Sequence, residues 1–449
     1  MKNHQFLIAA GEFQKKVGLT DRDSFITSKV RLFSFVVGHG SLIFLLLNLF
    51  AQTTSAAWPQ WGGPQRNFHV PEVQIADEWP EKGLKQIWKR PLGDGFSTIL
   101  VINDRLFTMH RKDGHEHITA LKADTGTTVW EYAYPVEFLE GTNVEDFGPG
   151  PLSTPLIVKQ RIFAVGVTGL LHCLDLENGK LLWKHNLIAD FQGTNLYRGY
   201  SASPIAYGDT VILPIGGSGN GVMAFRMGDG TVAWASQDFQ ISHVSPILIQ
   251  FENQFHLVVV AEKQIVGLDP RDGRLLWQLS HPIIGGHIAS TPVWDGSSRL
   301  FFSAAYGEGS RCLQLTRQAD QIMARELWHN QQMRVHHSNV IRIGDHLYGT
   351  SGDFAALVFT ALNLTTGKVV WRERQLGRAA ILLVDNKFLA MQEDGTLMLV
   401  TASPKELIIH HKAKLFDSRA WTTPTLHANR LFIRNREEIM AIEFPLRLQ

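Results

Sequence analysis

The feature that most constrains this chain is a repeated hairpin in which a glycine precedes a tryptophan by four positions. It occurs in ALKADTGTTVW (120–130), CLDLENGKLLW (173–183), AFRMGDGTVAW (224–234), GLDPRDGRLLW (267–277) and ALNLTTGKVVW (361–371). The glycines are Gly126, Gly179, Gly230, Gly273 and Gly367. NG, DG and TG pairs between two β-rich runs supply the positive φ of a tight turn at no Cβ cost. The tryptophan sits on the returning strand, where a large ring can cover the next layer of core. A weaker copy ends at Trp328, another ends near Ile408–Ile409 without Gly or Trp, and Trp88 in LKQIWKR reads as a returning strand alone.

A second landmark precedes each copy. It is a small-residue step that opens an apolar strand: FSTI (96–99), STP (153–155), ASP (202–204), VSP (244–246), STP (290–292), HSNV (337–340), AAI (379–381) and TTP (422–424). The aligned column falls at 99, 155, 204, 246, 292, 340, 381 and 424, at intervals of 41–56 residues. Each unit then reads as four short strands, the blade pattern of a β-propeller. The unit opened at Trp421 holds three strands before the chain ends, and LKQIW near residue 84 is a spare fourth strand. Pairing Leu84–Lys89 with the last unit closes the ring and removes exposed sheet edges. The expected fold is therefore all-β, an eight-bladed propeller of four-stranded blades over 84–449, closed by N- and C-terminal strands and preceded by a lead-in segment, 58–83.

Residues 1–31 are polar and mildly basic, an apolar run follows from Leu32 to Ala51, and QTTSAA ends at Ala57. This order reads as a secretory signal peptide over 1–57, or as an uncleaved membrane anchor formed by 32–51. Either way the rest of the chain is expected outside the cytoplasm, periplasmic or secreted. No cysteine lies near residue 57 to carry a lipid. The whole chain holds 43 basic and 42 acidic residues; beyond residue 57 the balance is 37 to 39, or −2. Nothing here suggests a nucleic-acid partner. Two cysteines, Cys173 and Cys312, 139 residues apart, exclude thiolate zinc sites, c-type haem attachment and cysteine-held iron–sulfur clusters.

The repeats resemble the pyrroloquinoline-quinone-like (PQQ-like) propeller repeat, roughly ALD-x-x-TG-K-x-x-W, over about residues 80 to 445, with CLDLENGKLLW and GLDPRDGRLLW its clearest copies. The opening WPQWGGPQRN (58–67) is similar to the start of secreted propellers of this group from planctomycete-type bacteria. The resemblance implies two occupations. One is that of the quinoprotein alcohol and sugar dehydrogenases, with PQQ and Ca²⁺ over the axis, a vicinal Cys–Cys disulfide, Glu/Asn/Asp ligands and an Asp base. The other is that of the propeller lipoprotein of the outer-membrane β-barrel assembly machinery, a non-catalytic scaffold. Cys173 and Cys312 are not adjacent, and no matching positions for the calcium ligands or the base are evident.

The first strand of each blade lines the axis, so residues three positions before the landmark crowd one mouth of the channel. They are Phe96, Leu152, Ser201, His243, Ala289, His337, Arg378 and Trp421. Phe96, Ser201, His243, His337, Arg378 and Trp421 form the candidate axial binding site, suited to an anion, a peptide or a flat ring, against a plainer reading as packing around a water-filled funnel. His115 and His117, two apart on a strand, share a face, with His110 nearby; they can be read as metal ligands that need a third donor from elsewhere, or as solvated loop residues. The pairs His336–His337 and His410–His411 point to opposite strand faces and form no chelate. The inserts 133–151 and 185–200, with Glu137, Glu140, Glu145, Asp146, Asp190 and Arg198, read as connecting loops or a partner-binding rim. GGSGNG (216–221) lacks the Lys-Ser/Thr of a phosphate loop and reads as a wide hairpin. The expected function is that of a monomeric, non-catalytic binding or scaffold module for a protein or small ligand, with no metal and no cofactor. The alternative is a PQQ-dependent alcohol or sugar dehydrogenase, which would add PQQ and calcium.

Overall fold

Eight antiparallel sheets follow one another along the chain in the computed structural model, which describes residues 57–71, 73–137, 148–281, 288–336, 338–352 and 357–447. Residues 1–56, nearly all of the segment expected over 1–57 as a signal peptide or anchor, lie outside the described residues. Blade 1 is built from Leu100–Ile102, Arg105–Lys112, His115–Lys122 and Thr128–Pro135. Blades 2 to 7 cover 156–186, 205–236, 247–280, 293–330, 340–373 and 379–414. Blade 8 takes three strands from 425–443 and its fourth from Lys85–Pro91, which runs antiparallel to Glu438–Glu443. The Trp88 and Phe432 rings lie 6.4 Å apart across that sheet. The eight blades form the expected closed propeller. One short α-helix, Leu187–Phe191, interrupts the all-β pattern in the 185–200 insert. Asn186 caps it by accepting from the Ile188 and Ala189 amides, while Asp190 accepts from the Asn186 amide at 2.8 Å.

The glycine–tryptophan spacing acts between blades. Gly126, Gly179, Gly230, Gly273 and Gly367 all have φ between +68° and +77°. A Cβ on any of them would meet, within 2.7 Å, the indole of the preceding blade: Trp88, Trp130, Trp183, Trp234 or Trp328. Four of these indoles also donate to a carbonyl of the next blade: Trp88 to Ala123 at 3.0 Å, Trp130 to Leu176 at 3.1 Å, Trp183 to Met227 at 3.1 Å and Trp328 to Leu364 at 2.9 Å. Trp371 does the same to Ser403 at 2.8 Å. In every blade the register slips by one residue just before this position, a β-bulge that turns the ring toward its neighbour. Trp277 is the exception. Blade 5 offers no glycine at its turn, and Trp277 folds instead over its own Gly267 and donates to His256 Nδ1 at 2.9 Å.

Blade 7 corrects one sequence alignment. Ladder register puts His411, rather than Ile409, opposite Leu399 in the tryptophan position. Its ring stacks on Trp79 at 5.2 Å and 15°, and Trp79 meets Phe444 of blade 8 edge-on at 6.2 Å. The lead-in segment therefore supplies the indole that blade 7 lacks.

The Ser-Thr-Pro landmarks also act between blades. The Thr98 amide donates to Thr154 Oγ1 at 3.0 Å, the Thr154 amide to Ser203 Oγ at 2.9 Å, and the Ser203 amide to Ser245 Oγ at 2.9 Å. Asn339 bonds both backbone groups of Ile381, and Thr425 Oγ1 donates to Ile99 O at 2.7 Å. The inner strands are thus tied sideways around the axis, where small hydroxyls satisfy backbone groups that face no sheet partner.

Two expectations follow. Gly179→Ala adds left-handed strain and a clash with Trp130, and is expected to cost about 3 kcal/mol. Gly208→Ala, at φ +57° with nothing within 4 Å of its Cβ, is expected to cost only about 1 kcal/mol. Urea midpoints compare the two, and equal losses would confine the role of Gly179 to its backbone angle. Burial also lowers the His281 pKa to about 3 and the His256 pKa to about 4, from 6.5. Between pH 6.5 and those values the unfolded chain binds more protons, so stability is whole above 6.5 and falls as pH drops. His281 places both ring nitrogens in the core without a hydrogen-bond partner among the described residues, against Phe302 at 4.6 Å. His281→Leu is expected to flatten the fall in Tm between about pH 7 and pH 5; an unchanged slope would contradict this assignment.

Candidate functional site

One segment ahead of the blades bridges their inner strands. Trp58 bridges to Val101 of blade 1, and the Pro59 carbonyl accepts from the Ile157 amide of blade 2 at 2.8 Å. Arg66 donates to the Pro204 carbonyl of blade 3 and, at 2.7 Å, to the Pro246 carbonyl of blade 4. Trp61 Nε1 donates to Thr291 Oγ1 of blade 5 at 2.9 Å, and His69–Val70 pairs in parallel with Leu383–Val384 of blade 7. Six blades are therefore touched by thirteen consecutive residues, 58–70. Sequence reasoning recognised WPQWGGPQRN only as a resemblance; the structure gives each residue type a task. Gly62 and Gly63, at φ +70° and +79°, fold the turn against Arg66 and Trp58. Arg66 is buried with Gln60 Oε1 and two carbonyls as its acceptors, and burial lowers its pKa to about 9.

The contacts at Val101, Ile157 and Leu383–Val384 lie toward the ends of the inner strands, whereas those at Pro204, Pro246 and Thr291 lie just before the strands start. The residues expected at the mouth also lie before the strand starts. Phe96, Leu152, Ser201, His243, Ala289, Arg378 and Trp421 are all half-buried, as rim residues are. His337 lies outside the described residues.

The rim residues form two groups. Across blades 3 and 4, Ser201 Oγ lies 2.7 Å from His243 Nδ1. Across blades 7, 8 and 1, Trp421 forms a centre: Phe96 lies 5.0 Å away at 35°, the Arg419 guanidinium 4.6 Å over the ring and the Arg378 guanidinium 5.8 Å over it. Glu393, which the sequence reading missed, holds this group together. Its Oε2 accepts from Trp421 Nε1 at 2.8 Å and from Arg378 Nη1 at 2.8 Å. Beside it opens a cleft of about 430 Å³ lined by Glu393, Asp394, Lys414, Asp417, Ser418, Arg419 and Arg436. Arg436 is fixed by two bonds to Asp94, at 3.0 and 2.6 Å. Cation faces over an indole, a carboxylate and an open cleft suit a flat or acidic ligand.

Other assignments shift. GGSGNG forms the turn between Thr210–Pro214 and Val222–Arg226, as read. His410 and His411 part as expected: His410 Nε2 lies 2.8 Å from Thr401 Oγ1, and His411 pairs with Glu78 at 2.9 Å. His110 and His117 are strand residues of blade 1, with His110 buried, and are not solvated loop residues; His115 is exposed. Between them, Glu116 is buried and accepts from the Val167 amide of blade 2 at 3.0 Å and from Tyr134 Oη at 2.7 Å. Burial raises its pKa. Arg434, also buried, donates to Met109 O at 2.7 Å, Thr108 Oγ1 at 3.1 Å and Gly93 O at 3.1 Å, joining blade 8 to blade 1. No motif in the sequence announced either residue.

The family model described as outer membrane protein assembly factor BamB matches residues 114–373, more than half of the chain. The crystal structure of BamB from Moraxella catarrhalis is similar at a TM-score of 0.55 and 15% identity, covering 82% of this chain and 99% of that one. The quinohemoprotein alcohol dehydrogenase of Comamonas testosteroni is similar at 0.60 and 12%, covering 88% and 82%. The computationally designed Ika8 protein is similar at 0.55 and 11%, covering 81% and 100%. No curated protein sequence gives a significant match.

Arg66→Met leaves two inner-strand carbonyls without their donor, and is expected to cost about 2–4 kcal/mol. Limited proteolysis checks it: cleavage within 58–70 should accelerate while the blades stay resistant, and simultaneous digestion of the whole ring would refute a separately held segment.

Proposed function

The chain belongs to the outer membrane protein assembly factor BamB family, and from that premise we propose that it is an extracytoplasmic, non-catalytic binding module. Its partner, a protein segment or small ligand, is received around Phe96, Ser201, His243, Arg378 and Trp421. The observation that carries this reading is a cation-flanked indole beside a cleft of about 430 Å³, on a ring whose inner strands are bridged by 58–70. The dehydrogenase reading requires paired cysteines and free carboxylates. Cys173 and Cys312 are buried on the third strands of blades 2 and 5, and burial pushes both thiols up to about 12. Glu393 and Asp94 are already engaged by Arg378 and Arg436. Buried, separated thiols and two arginine-bound carboxylates support the binding reading over the dehydrogenase one.

Calorimetry with pyrroloquinoline quinone and Ca²⁺, together with dye-linked oxidation of alcohols and sugars, separates the readings. Neither stoichiometric binding nor turnover is expected, and tight binding with turnover would overturn the proposal. Photo-crosslinking from position 96 in cells should capture a partner and lose it in a Trp421→Ala, Arg378→Gln double variant. Capture unaffected by that variant would move the binding surface away from the mouth.

A further inference from the structure

Three consecutive strands of blade 1 bring two imidazoles and a carboxylate to one face. In the ladder His110 stands directly opposite His117, and Thr119, two residues on, stands opposite Glu131. The two-residue period of a strand puts His117 and Thr119 on the same side, with His110 and Glu131 facing them from the flanking strands. The two imidazoles stack with centroids 4.7 Å apart and planes 4° from parallel. His117 Nδ1 lies 2.9 Å from Glu131 Oε1, and His110 Nε2 lies 3.4 Å from Glu131 Oε2. One ligand atom from each residue falls within 4.8 Å of the other two.

We propose that His110, His117 and Glu131 bind one divalent transition-metal ion of the zinc class. Two imidazole nitrogens and one carboxylate oxygen are a donor set suited to such ions, and three protein ligands leave a fourth position for water or a partner's donor atom. The site is walled and reachable. His110 is 3% exposed, while the Glu131 side chain is 36% exposed and gives an entry path. Thr119 Oγ1 donates to Glu131 Oε2 at 2.9 Å, the outer-shell contact that orients a carboxylate ligand. Gly93 makes room for the buried ring: a Cβ there would lie 2.6 Å from His110 Nδ1. That nitrogen is buried and makes no hydrogen bond among the described residues, while Nε2 lies 3.1 Å from Thr119 Oγ1, a contact that an ion would replace.

One charge opposes the ion. Arg434 donates to Met109 O and Thr108 Oγ1, the two residues before His110, and its guanidinium raises the cost of a cation there. Glu131 offsets it within the ligand set. The Asp94–Arg111 bridge beside His110 places the cluster toward the mouth end of blade 1.

The test is a Co²⁺ titration of the chelator-stripped full chain, followed by its visible ligand-field absorption, with Zn²⁺ as competitor. Absorption is expected to saturate at one equivalent and to be displaced by Zn²⁺. His117→Ala and Glu131→Gln, both at partly exposed positions, should weaken binding tenfold or more while circular dichroism stays unchanged. His115→Ala, next along the same strand but outside the cluster, should bind as the parent does. Absence of a saturable Co²⁺ spectrum would overturn the proposal. So would affinity retained in both His117→Ala and Glu131→Gln, because the chain has 19 histidines and binding would then reside elsewhere.

Discussion

Five of the eight joints between blades are held by an indole lying on a residue that has no side chain. A buried tryptophan removes roughly 150–250 Å² from water, worth about 4–6 kcal/mol at ~25 cal/mol/Å². That gain is available only where the facing turn is flat enough to admit the ring. Glycine meets both demands at once, by tolerating φ near +70° and by leaving the space a Cβ would fill. Two tryptophan joints lack it: the Trp277 ring turns back on its own blade and finds Gly267 and His256 there, whereas Trp371 still donates to Ser403 of the next blade. The His411 joint shows a second solution, in which Trp79 is brought in from outside the repeat.

The wheel was legible because its joints are periodic and built from residues with narrow conformational or volumetric requirements. Gly126, Gly179, Gly230, Gly273 and Gly367 could be aligned by eye, and the unmatched strand around Trp88 found its partner by subtraction. The small-hydroxyl step was visible as a marker, but its purpose was not, since Thr98, Thr154 and Ser203 act through bonds to residues more than forty positions away. The alignment failed at blade 7, where neither glycine nor tryptophan is present and only the ladder shows that His411 occupies the site.

Neighbourhood was legible in part by position: Phe96 and Arg378 meet Trp421, and Ser201 meets His243. Counting three residues back from each landmark reached Phe96, Ser201, His243, Arg378 and Trp421, because all inner strands run the same way along the axis. Arg419 and Asp94 sit two residues before Trp421 and Phe96 in the same connections, and Glu393 comes from a different loop of blade 7, which no count along an inner strand finds. Glu116 and Arg434 were equally hidden. Charged residues inside a strand look like solvent-facing ones until the neighbouring blade arrives with Val167, Tyr134 or the carbonyls of Met109 and Gly93. Buried charges of this kind sit between blades, where each backbone group they satisfy belongs to a different repeat.

The eighth sector has a consequence in time. Its outermost strand, Lys85–Pro91, is made before blade 1, and its other three are made after blade 7. A ribosome or translocation pore delivering this chain from its amino end therefore exposes one half of the clasp long before the other. Until residues near Glu443 emerge, the early strand has no edge to pair with, and the nascent arc stays unlatched. A nonsense codon anywhere in the last sector would thus leave an open product rather than a slightly smaller wheel, and quality control would meet seven loosely joined sheets in place of a finished one.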